Sequence, residues 1–228
     1  MNNESLTFTI KVVFDDKCAE EGFLKGFGFS ALIYNHATKN YLLFDTGGNA
    51  NILIHNLEKS NIKIATIYKV IISHDHTDHS GGLGGIYKIN PNINIYVPYE
   101  CKKTYSRLFT FSEIIGVSNL LEIEKNIFTS GQLGTNIKEQ ALFLKTINNK
   151  IIIIVGCTHP GLENFIVKAR ELGPIKGIIG GFHGFKKYNY LKDIDLIGAC
   201  HCTFELETLQ KRFPNQFKKI CVGTTLIF

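Results

Sequence analysis

Apolar and polar residues follow one another along the chain in patterns that predict both strands and helices. Residues 6–14 alternate apolar and polar side chains, which is typical of a strand with one buried face. Short apolar runs at 27–34 and 41–44 predict two more strands, and the turn-rich segment 35–40 between them predicts a hairpin. Residues 49–59 carry apolar side chains at helical spacing, so a helix is expected to follow the third strand.

The rest of the chain alternates between further strands and helices. Strands are predicted at 68–72, 93–97, 141–147, 151–155, 175–179, 194–199 and 220–228, and helices at 99–116, 162–172 and 205–212. Two asparagines and a lysine at 148–150 predict a hairpin between two of these strands. Since there is no repeat or linker-like segment, we expect a single domain over residues 1–228 in which helices cover stacked sheets.

Composition narrows the class of protein. With 228 residues, 44% of them hydrophobic, the chain can bury a large core and is not disordered. Its longest apolar run, 151–155, is far shorter than the ~18 residues of a membrane span, and the first residues lack a signal-peptide pattern. We therefore expect a cytoplasmic protein without a membrane partner.

The net charge of +5 is spread along the chain, which predicts no nucleic-acid surface. A slightly positive rim would instead suit a small, anionic substrate. The six cysteines form no CxxC pair and no scaffold-like spacing. In a cytosolic chain of this size they predict buried thiols or metal ligands and no disulfide framework.

The most informative segment is SHDHTDHSGG at 73–82, which directly follows a predicted strand. His74 and His76 are two residues apart, so an extended or turning backbone can direct both rings to one ion. Asp78 and His79 are adjacent and can face a second ion. Imidazole and carboxylate groups together suit zinc, iron or manganese. The segment is too short to complete two coordination shells, so further ligands must come from later strand ends.

Three later histidines follow predicted strands. His159 comes after 151–155 and His201 after the strand that ends near 199, which makes both of them candidate ligands. His183 follows 175–179 and is a candidate for a substrate contact or a structural residue. Asp45 ends another strand, where it either accepts the outer N–H of a ligating imidazole or is a plain turn residue.

The HxHxDH motif at 74–79, with the Asp-Thr-Gly turn at 45–47, resembles the metallo-β-lactamase superfamily. This resemblance implies an α/β (α+β) fold, a four-layer αββα sandwich with the metal site at one edge. The ligands it implies are His74 and His76 on one ion, Asp78 and His79 on the other, and His201 as the last histidine.

The chain departs from the superfamily pattern at two places. Where many members have a bridging aspartate, this sequence has Cys157, which is either a bridging ligand or a buried thiol. Many members also have a ligating histidine on the preceding strand, and residues 138–142 contain none. Either His159 or Glu139 is expected to supply that ligand.

A narrower resemblance comes from the segments EQAL, GCTHPG, GGFH and HCT. Together they are similar to the subgroup of dihydropterin-ribofuranosylaminobenzene-phosphate synthases, many relatives of which are known only as metal-dependent hydrolases. The synthase reaction implied for that subgroup is an alkyl transfer that displaces pyrophosphate.

We therefore expect a metal-dependent hydrolase in which hydroxide held by two divalent ions attacks a small phosphoester or ester-like substrate. Zinc is the first choice of metal, with manganese or iron as alternatives. Asp78 is expected to orient or share the proton, and His183 to protonate the leaving group. The alternatives are the pterin alkyl transferase, a di-iron redox protein and a metal-binding module without catalysis. Cys200 and Cys202 are expected to pack in the core or to flank the site without ligating.

Overall fold

The computed structural model describes residues 6–228, which form strands in two sheets and helices on their outer faces. The strands are β1 (Phe8–Phe14), β2 (Ser30–Asn35), β3 (Asn40–Phe44), β4 (Ile67–Ile71), β5 (Asn94–Pro98), β6 (Glu113–Val117), β7 (Leu121–Glu124), β8 (Ile127–Thr129), β9 (Leu142–Lys145), β10 (Ile151–Val155), β11 (Ile175–Gly181), β12 (Leu196–Cys200) and β13 (Thr225–Ile227). The helices are α1 (Ala50–Lys59), α2 (Thr77–Ser80), α3 (Leu83–Ile89), α4 (Lys102–Leu108), α5 (Leu162–Arg170) and α6 (Leu206–Arg212).

Each sheet combines antiparallel and parallel strands. The first has the order β13-β1-β2-β3-β4-β5-β6, and the second has the order β12-β11-β10-β9-β8-β7. Strands β3 to β6 are parallel to one another, and so are β10, β11 and β12. Both predicted hairpins are confirmed, since β2 pairs with β3 and β9 with β10 in antiparallel register. The parallel strands matter for the site because their carboxyl ends lie at the same edge of each sheet.

Three apolar clusters show that the layers are stacked as an αββα sandwich. The central cluster contains side chains from both sheets, such as Phe44 and Ile152. A second cluster joins the first sheet to α1, α3 and α4, and a third joins the second sheet to α5 and α6. In α5 the buried residues recur at helical spacing and face the sheet, which confirms the predicted amphipathic helix. The predicted fold class is therefore confirmed.

Two of the predicted elements are wrong in part. Residues 99–116 were expected to be helical, but the α-helix covers Lys102–Leu108 and is followed by the edge strand Glu113–Val117. The strand expected at 220–228 is reduced to Thr225–Ile227. Both segments lie at sheet edges, where only one neighbouring strand supplies hydrogen bonds and the apolar pattern is weak.

Cys18 and Cys221 form a disulfide, so the expectation of buried thiols or metal ligands is wrong for this pair. The two cysteines are 203 residues apart in sequence, but they lie beside the neighbouring strands β1 and β13. The order of strands in the sheet brings the two cysteines close together, and their spacing in the sequence does not predict this.

Among the helices that the structure describes, none has both the length and the apolar character needed to cross a membrane.

Candidate metal centre

The predicted site residues come together where the chain leaves the carboxyl ends of β4, β10, β11 and β12. The loop after β4 carries the 74–79 motif, whose last part forms the short helix α2. Thr46 holds this loop in place, because its backbone N–H and its hydroxyl both donate to the His79 carbonyl, at 2.7 and 2.9 Å. Gly156, after β10, lies so close to the loop that a Cβ atom there would be 2.3 Å from Ser73 Oγ. Only glycine allows this approach.

The candidate ligand atoms form two groups that share one residue. In the first group, the atoms of Asp78, His79, Cys157 and His201 lie within 4.8 Å of one another. In the second, the atoms of His74, Cys157 and His159 lie within the same distance. His76 adjoins the second group, with its Nδ1 3.0 Å from His74 Nε2. The structure thus brings all six predicted metal ligands together, and Cys157 lies between the two groups.

Four of the five imidazoles donate their outer Nδ1–H to a protein oxygen, which directs Nε2 into the site. The acceptors are Ser73 Oγ for His74 (2.9 Å), Asp45 Oδ2 for His79 (2.7 Å), Glu139 Oε2 for His159 (3.0 Å) and Asp16 Oδ1 for His201 (2.8 Å). Such outer partners fix the tautomer and the orientation of metal-binding imidazoles. The contact between Asp45 and His79 is the one that the sequence analysis expected for Asp45.

Glu139 organises the loop after β10 and is not a member of either ligand group. It is fully buried, and its carboxylate accepts the backbone N–H groups of Cys157, Thr158 and His159 at 2.8–2.9 Å. Burial alone would raise the pKa of Glu139, but the hydrogen bond from the His159 ring and those from the backbone lower it to about 2. Of the two alternatives for the missing ligand, the geometry therefore favours His159, with Glu139 as its support.

Charge is distributed unevenly across the site. Burial and the neighbouring His79 lower the pKa of His74 to about 2, so its ring is neutral and can donate a lone pair. Burial would also lower the pKa of His79, but the carboxylates of Asp45 and Asp78 raise it to about 10. His201 is likewise raised to a pKa of about 9 by Asp16 and Asp78, against the effect of its burial.

Asp78 provides the negative charge at the centre of the first group. Burial would raise its pKa, but the neighbouring imidazoles of His201 and His79 hold the pKa below the usual range of aspartate. Its Oδ2 lies 3.4 Å from His79 Nε2 and 3.2 Å from His201 Nε2. A carboxylate that stays ionised among imidazole nitrogens is a suitable ligand for a divalent cation.

Two observations show that these residues fit a metal ion. Within residues 6–228, His201 Nε2 is buried and has no hydrogen bond of acceptable geometry, although buried polar atoms are nearly always paired. The donor set of thiol, imidazole and carboxylate is also the one that zinc prefers. In the metal-free protein the hydrogen bond with Cys202, together with burial, raises the pKa of Cys157. A coordinated cation would reverse that shift by deprotonating the thiol.

His183 lies outside both ligand groups, at the mouth of the site. Its side chain is exposed, and its ring centroid is 5.4 Å from that of His159. It lines a cavity of about 760 Å³ together with the loop 133–137 and one side of α5. A second cavity of about 340 Å³ also contacts both His159 and His183. This placement suits a residue that contacts substrate and does not ligate metal.

Sequence reasoning missed the supporting residues Asp16 and Ser73 and the positioning role of Glu139. Asp16 is the second residue after β1, and a carboxylate just past a strand was the signal that could have found it. Ser73 and Glu139 carried no such signal, because the sequence does not show that Ser73 Oγ faces His74 Nδ1 or that Glu139 lies beside the loop after β10.

Comparisons with known proteins agree with this fold. A model of the metallo-beta-lactamase superfamily matches residues 25–113, a stretch that includes the 45–47 turn and the 74–79 motif. A crystal structure of the metallo-beta-lactamase fold protein YhfI from Bacillus subtilis matches with a TM-score of 0.72 and 11% identity, over 97% of this chain and 99% of that protein. The short form of human tRNase Z matches with a TM-score of 0.62 and 15% identity, over 96% of this chain and 98% of that protein.

A similar sequence is the 7,8-dihydropterin-6-methyl-4-(beta-D-ribofuranosyl)-aminobenzene-5'-phosphate synthase of Methanocaldococcus jannaschii. It is 26% identical over 89% of this chain and 90% of its own length. The chain therefore has the metallo-β-lactamase fold, and the predicted resemblance to the superfamily and its synthase subgroup is confirmed. These likenesses support an enzyme of hydrolase or transferase type. The sequence analysis predicted no nucleic-acid partner. The fold does not exclude one, because human tRNase Z has the same fold.

Proposed function

We propose that the protein is a hydrolase that uses two divalent metal ions, zinc by preference, on a small anionic phosphoester or ester-like substrate. The observation that carries this proposal is the convergence of five predicted ligands into two groups that share Cys157, with the sixth, His76, beside the second group. A chance cluster of polar residues would not also provide a separate outer acceptor for each of four imidazoles.

The proposed assignment divides the ligands by group. His74, His76 and His159 would hold one ion, Asp78, His79 and His201 would hold the other, and the Cys157 thiolate would contact both. Thiolate and imidazole ligands favour zinc or iron over manganese. The ions would supply Lewis acidity and a bound water of lowered pKa.

Two residues of the chain are proposed to contact the reacting groups. Asp78 stays ionised because its pKa is held low, so its carboxylate can orient a water molecule by accepting a hydrogen bond from it. His183, at the mouth of both cavities, is placed to donate a proton to a leaving group. The 760 Å³ cavity is lined by Lys168 and Glu171. The 340 Å³ cavity is lined by Lys186, Lys187 and Glu163, so it has the positive excess that suits an anionic substrate.

A second candidate function is the alkyl transfer of the synthase subgroup, in which pyrophosphate leaves and an arylamine-type carbon replaces water as acceptor. The observation in its favour is the similarity to the Methanocaldococcus synthase over 89% of this chain. Incubation with a pterin diphosphate separates the two, since the transferase forms a carbon-linked product only when an arylamine is supplied, whereas hydrolysis does not need the arylamine.

The metal content per chain, measured by elemental analysis after anaerobic purification, tests the proposed centre. We expect about two zinc ions in the wild-type protein and fewer in His79→Ala. His55→Ala is the matched control, because His55 is exposed on α1 and should leave the content unchanged. Cys157→Ser should lower the stoichiometry if the thiolate is shared.

Two iron ions in place of zinc would replace the hydrolase proposal with the redox alternative. A chain that is purified without metal and takes up none when it is added would refute the metal centre itself.

A further inference from the structure

Two phenylalanine side chains at the candidate metal centre are largely exposed. Phe27 is 70% exposed and Phe204 is 72% exposed, whereas large aromatic side chains usually bury most of their surface. The Phe27 ring lies 5.8 Å from the His201 ring, centroid to centroid, and the Phe204 ring lies 4.9 Å from the His183 ring. Both exposed rings therefore adjoin imidazoles of the site.

The backbone around Phe27 is fixed against the metal-binding loop. Phe29 N–H donates to the Asp78 carbonyl at 3.2 Å. Gly28, at φ +134°, passes so close that a Cβ atom there would lie 2.1 Å from the same carbonyl oxygen. Because the main chain has no room to move inward at Gly28, the neighbouring Phe27 ring is held at the rim of the site and is not drawn into the core.

Phe204 is fixed in a comparable way on the other side of the site. Its backbone N–H donates to the His183 carbonyl at 3.1 Å. The preceding residue, Thr203, accepts the Phe182 N–H at its hydroxyl, 2.9 Å away. The turn after β12 is thus bonded to the turn after β11, and this leaves the Phe204 ring projecting over His183.

The rings form two rows that end at these phenylalanines. One row runs from His79 through His201 to Phe27, with centroid distances of 5.0 and 5.8 Å. The other runs from His159 through His183 to Phe204, with distances of 5.4 and 4.9 Å. Each row begins in a different ligand group, so each exposed ring lies at the outer end of a row of rings that starts at the centre.

We propose that Phe27 and Phe204 bind a planar aromatic or heteroaromatic ring of the substrate, next to the bond that reacts at the metal centre. The proposal rests on the proposed function and narrows its substrate class to aryl or heteroaryl compounds. A flat ring gains dispersion and quadrupole interactions with an exposed phenyl face, and it buries the apolar surface that folding leaves in water. The cavity of about 760 Å³ that His159 and His183 line has the size of a small-molecule site and would take the rest of the substrate.

Binding of inert phosphonates to the zinc-loaded protein, measured by calorimetry, tests this proposal without turnover. Phenylphosphonate and cyclohexylphosphonate have the same anionic group and similar size, but only the first has a flat ring. We expect the wild-type protein to prefer phenylphosphonate by about tenfold. Phe27→Ala and Phe204→Ala should each reduce the preference several-fold, with unchanged zinc content and melting temperature.

Phe204→Leu separates ring stacking from simple apolar contact, because it should retain cyclohexylphosphonate binding and lose the preference for the phenyl compound. Phe111→Ala is the matched control, since Phe111 is 75% exposed and precedes β6, with its N–H on the Tyr87 hydroxyl. It should bind both compounds as the wild-type protein does.

Equal affinity for both phosphonates, or a preference that survives both alanine variants, would overturn the proposal. Methylphosphonate shows which proposal has failed. If it binds while the aromatic preference is absent, only the role of the two phenylalanines is refuted. If no phosphonate binds the zinc-loaded protein, the proposed hydrolytic centre fails as well.

Discussion

Replacing Asp45 by Asn tests the idea that buried outer partners hold the metal ligands in place. Asp45 Oδ1 accepts the Ser73 N–H at 2.6 Å, and Oδ2 accepts the Ser73 hydroxyl and His79 Nδ1–H, both at 2.7 Å. Asparagine has the same shape and tolerates the φ of +55° found at this position. Its amide group, however, presents N–H donors where one of the two carboxylate oxygens accepted hydrogen bonds.

The expected loss of stability can be worked out in two ways for the metal-free protein. Raising the pKa of His79 from 6.5 to about 10 corresponds to about 4 kcal/mol of stability at pH 7. Removing one partner of a buried ion pair typically costs about 3–5 kcal/mol. Since Asp78 supplies part of the His79 shift, we expect Asp45→Asn to lower the free energy of unfolding by about 3 kcal/mol. In the loaded protein, losing the outer partner of a ligand should weaken zinc binding about 10- to 100-fold.

Urea unfolding of the metal-stripped protein and zinc competition with a chromophoric chelator measure these two effects. Asp195→Asn is the matched control, because Asp195 is an exposed residue that pairs with Lys176 on the surface. Surface pairs contribute little, so we expect a change below about 1 kcal/mol and unaltered zinc affinity. If Asp45→Asn behaved like this control in both assays, the reasoning about outer partners would be wrong.

Three other predictions concern protonation, the disulfide and catalysis. The pKa values of His79 and His201 are raised to about 10 and about 9, so the metal-free protein should lose stability as the pH rises from about 6.5 to 10. If the free energy of unfolding in urea stayed constant over that range, this prediction would be wrong. The disulfide between Cys18 and Cys221 joins residues 203 apart, so Cys221→Ser should lower the free energy of unfolding by about 5 kcal/mol through the loss of loop-closure entropy. A reductant should destabilise the wild-type protein but not the variant. His183→Ala should lower turnover about 100-fold or more with metal content retained, whereas full activity would make His183 structural.

The parts of the fold that could be predicted are those in which local pattern and tertiary packing agree. The helix Leu162–Arg170 has its apolar residues on one face, and that face covers the second sheet. The hairpin at 148–150 has a turn sequence between two apolar strands, and Asn149 adopts the positive φ that such turns require. By contrast, β6 to β8 are short and lie in a segment without clear alternation, so only their pairing with neighbouring strands defines them.

The candidate ligands could be predicted because imidazole and carboxylate side chains are rare in apolar surroundings and cluster visibly after a strand. Apart from Asp45, their supports could not be predicted, because Asp16 and Glu139 come from distant parts of the chain and Ser73 gave no signal of its own in the sequence. His201 is oriented by Asp16 across 185 residues, and His159 by Glu139 across 20. The disulfide was hidden for the same reason, since only the pairing of β1 with β13 brings Cys18 near Cys221.

The backbone conformation at the strand ends explains why the alternation of side chains along a strand does not predict which residues face the site. Asp45, Thr158, His183 and His201 all have φ between +46° and +61°, although none is glycine. Such a conformation costs on the order of 1 kcal/mol or more for a residue with a side chain, and it persists only where surrounding contacts enforce it. Alternation along an extended strand would place Cys200 and Cys202 on the face opposite His201. However, β12 ends at Cys200, and the turn at His201 places Cys202 beside Cys157. The carboxylates and backbone donors that contact these four residues therefore offset their backbone strain. For this reason we expect substitution of the supporting residues to be tolerated as poorly as substitution of the ligands themselves.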